Sequence, residues 1–173
     1  MLEAIIFVVF AFSMAFAAFS DMLTMTIANR VSILLIATFA IVAPLTGMDM
    51  ATYGWHFAAG AMVLVVTFGL FALGGFGGGD AKLLTATAVW CGFSDVLFDY
   101  MVMATLMGGV LTIFLLIWRN SFYAQYAGAR FEFMHRLGRK DVGIPYGIAL
   151  GLAGLAVAPS LPLINWAILN VAQ

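Results

Sequence analysis

Two aspartates carry the strongest chemical signal in this chain. Asp80 closes the run Gly74-Gly75-Phe76-Gly77-Gly78-Gly79, Lys82 follows two residues on, and Asp21 ends an early apolar stretch. The chain is 65% hydrophobic and only 9% charged. Each carboxylate therefore sits at the border of an apolar segment, where an ionisable group is costly and marks a functional candidate. Glycines beside Asp80 allow backbone or a peptide to approach closely. Two neighbouring aspartates tend to share one proton. The ionised one can take a proton from water. The protonated one can donate a hydrogen bond to a peptide carbonyl and later help protonate the leaving amine. Such a pair hydrolyses an amide without a metal or a covalent intermediate.

Other chemistries find fewer residues to work with. Cys91 is the single cysteine, which excludes an internal disulfide and a thiolate zinc cluster. It reads as a small apolar packing residue. The two histidines are His56, read as an interfacial polar group, and His135, read as a solvated loop residue. Neither is placed by sequence beside Cys91 for nucleophilic catalysis. No His-Glu-x-x-His helix or ligand spacing is present, so no metal or cofactor is expected. The glycine run lacks the Gly-Lys-Ser/Thr ending of a phosphate-binding loop, and the acid after it would repel phosphate. Net charge is −1, which suggests no nucleic-acid partner.

The elements that must position the aspartates are apolar helices. A soluble chain is about one-quarter charged, so this composition belongs in a lipid bilayer. The long runs do not alternate as barrel strands do, which makes the fold an all-α polytopic membrane bundle. With roughly 20 residues needed per span, we place six spans at Ala4–Ser20, Val31–Gly47, Trp55–Leu73, Ala81–Phe93, Phe98–Trp118 and Ile144–Ala158. Leu163–Val171 is too short to cross alone and reads as a surface piece or a continuation after a break. Ala15-Phe16-Ala17 has a cleavage-site look, but Met1-Leu2-Glu3 carries no positive charge, so the first span is expected to be retained. Residues 1–173 read as a single transmembrane domain.

Arg30, Lys82, Arg119, Arg130, Arg136, Arg139 and Lys140 all fall in odd-numbered connections. By the positive-inside rule those connections are cytoplasmic and the N-terminus is outside. Parity then brings Asp21 and Asp80 to the same membrane face whichever way the chain is oriented. In the loop after span five, Phe122, Tyr126, Ala129, Phe133 and Leu137 form one helical stripe, which fits a helix on the bilayer surface. Gly147-x-x-x-Gly151, then Gly154, predicts close approach of the sixth span to a neighbour, and Gly108-Gly109 reads the same way.

These residues resemble a known family. Gly77-Gly78-Gly79-Asp80 matches the Gly-x-Gly-Asp motif of intramembrane-type aspartic proteases, and Lys82 follows as in prepilin peptidases. Asp21 through Asn29 is similar to that family's first-aspartate segment, which typically ends Ile-Pro-Asn. Ala28 replaces the proline here. Ile144-Pro145-Tyr146-Gly147 resembles the segment that opens the family's last helix. The chain looks like a short prepilin peptidase of the CpaA/TadV type from Flp (Tad) pilus systems. The resemblance implies Asp21 and Asp80 as the catalytic pair, supported by Gly77, Gly79, Lys82 and Asn29. It also implies a bacterial inner-membrane location, and cleavage after a glycine in the basic leaders of prepilins and pseudopilins at the cytoplasmic face. It carries no cofactor. With no paired CxxC cysteines, the methyltransferase region of larger members is not expected. Three alternatives stay open on residues alone. Asp21 and Asp80 could serve only as helix caps, with Lys82 a snorkelling base. The chain could be a small proton-coupled carrier, or a non-catalytic pilus-assembly subunit.

Overall fold

The computed structural model describes residues 1–122, 126 and 130–171. Among them all regular structure is helical: α1 Leu2–Thr24, α2 Asn29–Leu45, α3 Met50–Ala72, α4 Gly78–Cys91, α5 Asp95–Arg119, α6 Glu132–Gly138, α7 Tyr146–Val157, a 3-10 turn Ala158–Ser160 and α8 Pro162–Val171. The protein is an all-α bundle of apolar helices, as expected. α1, α3 and α5 are each long and apolar enough to cross a membrane. α7 with its 3-10 turn and α8 form a pair bent by 49° that, taken together, is long and apolar enough for a fourth, broken span. Leu163–Val171 is thus the continuation after a break, at Pro159 and Pro162. Of the six expected spans, α2 and α4 are the short ones, at 17 and 14 residues.

α4 explains its own shortness. At 1.5 Å per residue it is about 21 Å long, less than a ~30 Å hydrocarbon core. It is also apolar all round, and every residue from Leu83 to Cys91 is buried, which is the pattern of a core helix. It packs on α2, α3 and α7. Trp90 is fully enclosed, with Phe10 of α1 at 5.0 Å and Phe39 of α2 at 5.9 Å between ring centroids. Its indole N–H donates to the Leu35 carbonyl at 3.0 Å. His56 is enclosed by the bundle: it is 4% exposed, and its Nδ1 lies 2.7 Å from the Val89 carbonyl oxygen. Thr85 and Thr87 return their hydroxyls to carbonyls one turn back, at 2.8 and 2.9 Å.

Several helix ends differ from the sequence reading, each for a local reason. α1 runs on through Asp21 to Thr24, and ends where Met25 takes a left-handed conformation (φ 57) and donates its N–H to the Asp21 carbonyl at 2.8 Å. α3 begins at Met50 because the Asp49 side chain accepts from the Ala51 and Thr52 amides, both at 3.0 Å. Its other end is a Schellman closure, with Gly74 at φ 76, its N–H on the Phe71 carbonyl and the Gly75 N–H on that of Leu70. α4 then starts three residues earlier than predicted, so Asp80 lies inside its first turn.

The described residues of the loop stripe are all helical, but Arg130 and Phe131 break the stripe, so it is not one continuous helix. Phe133 and Leu137 lie on α6 and are half-buried, Phe122 and Tyr126 are exposed, and Ala129 lies outside the described residues. α6 is tied to the bundle end. Arg119, the last residue of α5, donates to the Leu137 carbonyl at 2.8 Å and to that of Gly143 at 2.7 Å. Arg136 donates to the Leu23 carbonyl in the last turn of α1 at 2.8 Å.

The small-residue face of α7 meets α1. A Cβ on Gly151 would stand 2.5 Å from the Met14 carbonyl oxygen and 2.9 Å from Ala18 Cβ. Gly109 on α5 faces open space, whereas a Cβ on Gly108 would press on the Tyr146 ring at 3.2 Å. Replacing Gly151 by Ala should therefore destabilise the protein by about 1–3 kcal/mol, while Gly109→Ala should leave stability unchanged. Denaturant titration of both variants in detergent measures the difference.

Candidate active site

The residues singled out in the sequence converge at one end of the bundle. Asp21 is buried, 4% exposed, in the last turn of α1. Its Oδ2 accepts the Gly147 backbone N–H at 2.7 Å. Gly147 is the second residue of α7, and Pro145 before it makes no side-chain cap. The first N–H groups of a helix have no partner within it. Asp21 thus caps α7, a helix 126 residues away, rather than its own. A buried acceptor and an orphan donor satisfy one another.

Asp80 is half-buried at the start of α4, two residues inside the helix that Gly77 opens. Its carboxylate folds back over Gly77, so a side chain at 77 would collide with its Oδ2. Among the described residues, no protein group hydrogen-bonds the Asp80 carboxylate. Asp80 thus lies at the N-terminus of its own helix, and Asp21, though in the last turn of α1, turns its carboxyl to the N-terminus of α7, where the backbone dipole favours negative charge. Ile27 contacts Gly79, next to Asp80, and Gly147, whose amide holds Asp21, so the two aspartates lie at the same end of the bundle.

Lys82 and Asn29 also meet, although they are far apart in sequence. Lys82 Nζ donates to Asn29 Oδ1 at 2.9 Å, joining the start of α4 to the start of α2. Ala28 precedes α2 at φ −65 and ψ 132. That φ is the value a proline ring imposes, so alanine holds here the backbone that the family's proline would hold. Gly79 is held close by Ile27. A Cβ on Gly79 would lie 3.2 Å from Ile27 Cβ, 3.5 Å from its N and 3.6 Å from its O.

The sequence profile of the type IV leader peptidase family matches residues 8–129. The chain belongs to that family. The matched stretch contains Asp21, Asn29, the glycine run, Asp80 and Lys82; Gly147 lies beyond it. No curated protein and no solved structure matches the chain. Membership makes it a membrane peptidase of leader-bearing pilin-type substrates.

Two residues of this leader peptidase's candidate site were not legible as such. Gly147 reads in the sequence as a packing residue, and its amide proves to be the donor to Asp21. Pro145 just before it is the available signal, since a proline opening a helix cannot cap it with a side chain. Ile27 stands in the sequence only as the first residue of the Ile-Pro-Asn-like ending, with nothing to mark its contacts. Ala28→Pro should leave leader removal intact and raise stability by about 0.4–1 kcal/mol by restricting the unfolded chain. Thermal unfolding, with a cleavage assay at fixed enzyme concentration, checks both parts.

Proposed function

We propose that this leader peptidase is an aspartic endopeptidase that cleaves after a glycine in the leaders of Flp-type prepilins and pseudopilins. The supporting observation is that Asp21 and Asp80 lie at the same end of the bundle, with Ile27 touching both Gly79 and Gly147 and Asp21 held by the Gly147 amide at 2.7 Å. That bond occupies Asp21 Oδ2 and leaves Oδ1 for water. The ionised carboxylate of the pair takes a proton from a water, whose oxygen attacks the scissile carbonyl carbon. The protonated carboxyl hydrogen-bonds the carbonyl oxygen as it gains charge. The intermediate collapses when the peptide nitrogen takes a proton and leaves as an amine. One amide and one water become one carboxylate and one ammonium.

The placement of charge supports a cytoplasmic site in a bacterial inner membrane. Arg119 and Arg136 lie at the same end as the aspartates, through their bonds to Leu137, Gly143 and Leu23. Lys82 joins them there through Asn29. Basic residues gather on the cytoplasmic side of membrane proteins. A basic leader would approach from that side, with its apolar segment in the bilayer.

Co-expression with a Flp-type prepilin, followed on a gel, tests the reading. Asp21→Asn and Asp80→Asn should each slow leader removal by about 10²–10⁴-fold; normal processing by either variant would overturn the pair mechanism. Purified enzyme should keep its rate in a chelator, and loss of activity there would bring a metal back into consideration.

A further inference from the structure

We propose that Ile27 is a positioning residue that sets the gap between Asp21 and Asp80, an inference that rests on their reading as the catalytic pair. Ile27 lies on the connection between α1 and α2 and is 9% exposed. It touches the supports of both aspartates. Its Cβ and backbone lie against Gly79, the residue before Asp80, within 3.2–3.6 Å of where a Cβ there would stand. Its Cδ1 reaches the other way, to 2.7 Å from the Cβ position of Gly147, the residue whose amide holds Asp21. One side chain thus spans from the N-terminus of α4 to the N-terminus of α7.

The backbone on either side of Ile27 is tied down. The Thr26 carbonyl accepts from Ser20 Oγ at 3.0 Å and from Thr24 Oγ1 at 3.3 Å, both on α1. Two residues beyond Ile27, Asn29 takes the Lys82 ammonium. A β-branched side chain is stiff at χ1, so a fixed backbone fixes the direction in which Cγ1, which carries Cδ1, leaves Cβ. Glycine at both 79 and 147 lets the spacer seat directly on helix backbone. Moving either helix start toward the other would drive it into Ile27, and moving them apart would open a void in the bundle.

The gap matters because two carboxyls share a proton, and position a water between them, only at the right spacing. Misplacement by about 1 Å can cost about 10²-fold in rate. Ile27→Val removes only Cδ1, the contact to Gly147. Ile27→Ala removes Cδ1 and both Cγ carbons. Ile27→Leu keeps the volume and moves the branch.

The full-length peptidase in detergent, with a purified prepilin carrying a basic leader and a glycine before the scissile bond, provides the first readout. The expected result is a graded fall in kcat, small for Val and about 10-fold or more for Ala, with KM unchanged and partial recovery for Leu. A wild-type kcat in Ile27→Ala, or a change confined to KM, would overturn the inference; the latter would make Ile27 a substrate contact. The second readout needs no activity. Asp21→Cys and Asp80→Cys are combined in a Cys91→Ala background and joined with a bismaleimide of fixed length. Ile27→Ala, or Ile27→Val should Ala fail to fold, is expected to change the cross-linking rate at least about 3-fold; an unchanged rate would overturn the spacing role. If Asp21→Asn and Asp80→Asn stay active, the aspartic mechanism fails. Cross-linking still decides whether Ile27 sets the gap.

Discussion

A carboxyl oxygen inside an apolar bundle is tolerated only where a donor comes to it. Here that donor is the Gly147 amide, and much of the architecture follows from the need to deliver it. α7 must start level with the last turn of α1 and press against it closely enough for a 2.7 Å bond. Residues facing α1 must then be small, as Gly147 and Gly151 are. α1 must run past the point where its apolar stretch ends, so that Asp21 points from a helix rather than a loop. The left-handed turn at Met25, which closes α1 through the Asp21 carbonyl, returns the chain toward α4. The same residue thus holds one helix start with its side chain and one helix end with its backbone.

The glycine run beside Asp80 looks in sequence like a pliable joint, and its residues turn out to hold separate posts. Gly74 supplies the positive φ that closes α3. Gly77 leaves room for the Asp80 carboxylate, and Gly79 leaves room for Ile27. The absence of side chains here serves close approach more than freedom of movement. It also lets α4 begin early enough to put Asp80 in its first turn, at the positive end of the most buried helix in the bundle.

Local patterns made the general plan legible. Apolar runs long enough to cross a bilayer announced the helices, and the parity of the connections placed Asp21 and Asp80 at one end before any geometry was known. The spacing of Gly147, Gly151 and Gly154 announced a close helix contact without naming α1 as the neighbour. What stayed hidden were relations between residues distant in sequence. His56 reads as a polar group at an interface because nothing nearby reveals the Val89 carbonyl that takes its ring nitrogen. Asn29 and Lys82 are both recognisable motif residues, yet their bond joins two helices and neither periodicity nor composition encodes it. Helix ends shifted for related reasons, since Asp49 and the α3 closure act through hydrogen bonds that hydropathy does not register.

The bond from Asp21 to Gly147 spans 126 residues, and this bears on how the protein comes into being. Helices enter a membrane in the order they are synthesised. Asp21 is thus among the first ionisable groups to be committed, and it waits for its donor until nearly the whole chain has emerged. During that interval the carboxylate has no partner from α7. A nascent or truncated chain ending before α7 holds both aspartates but not the contact that orients the first.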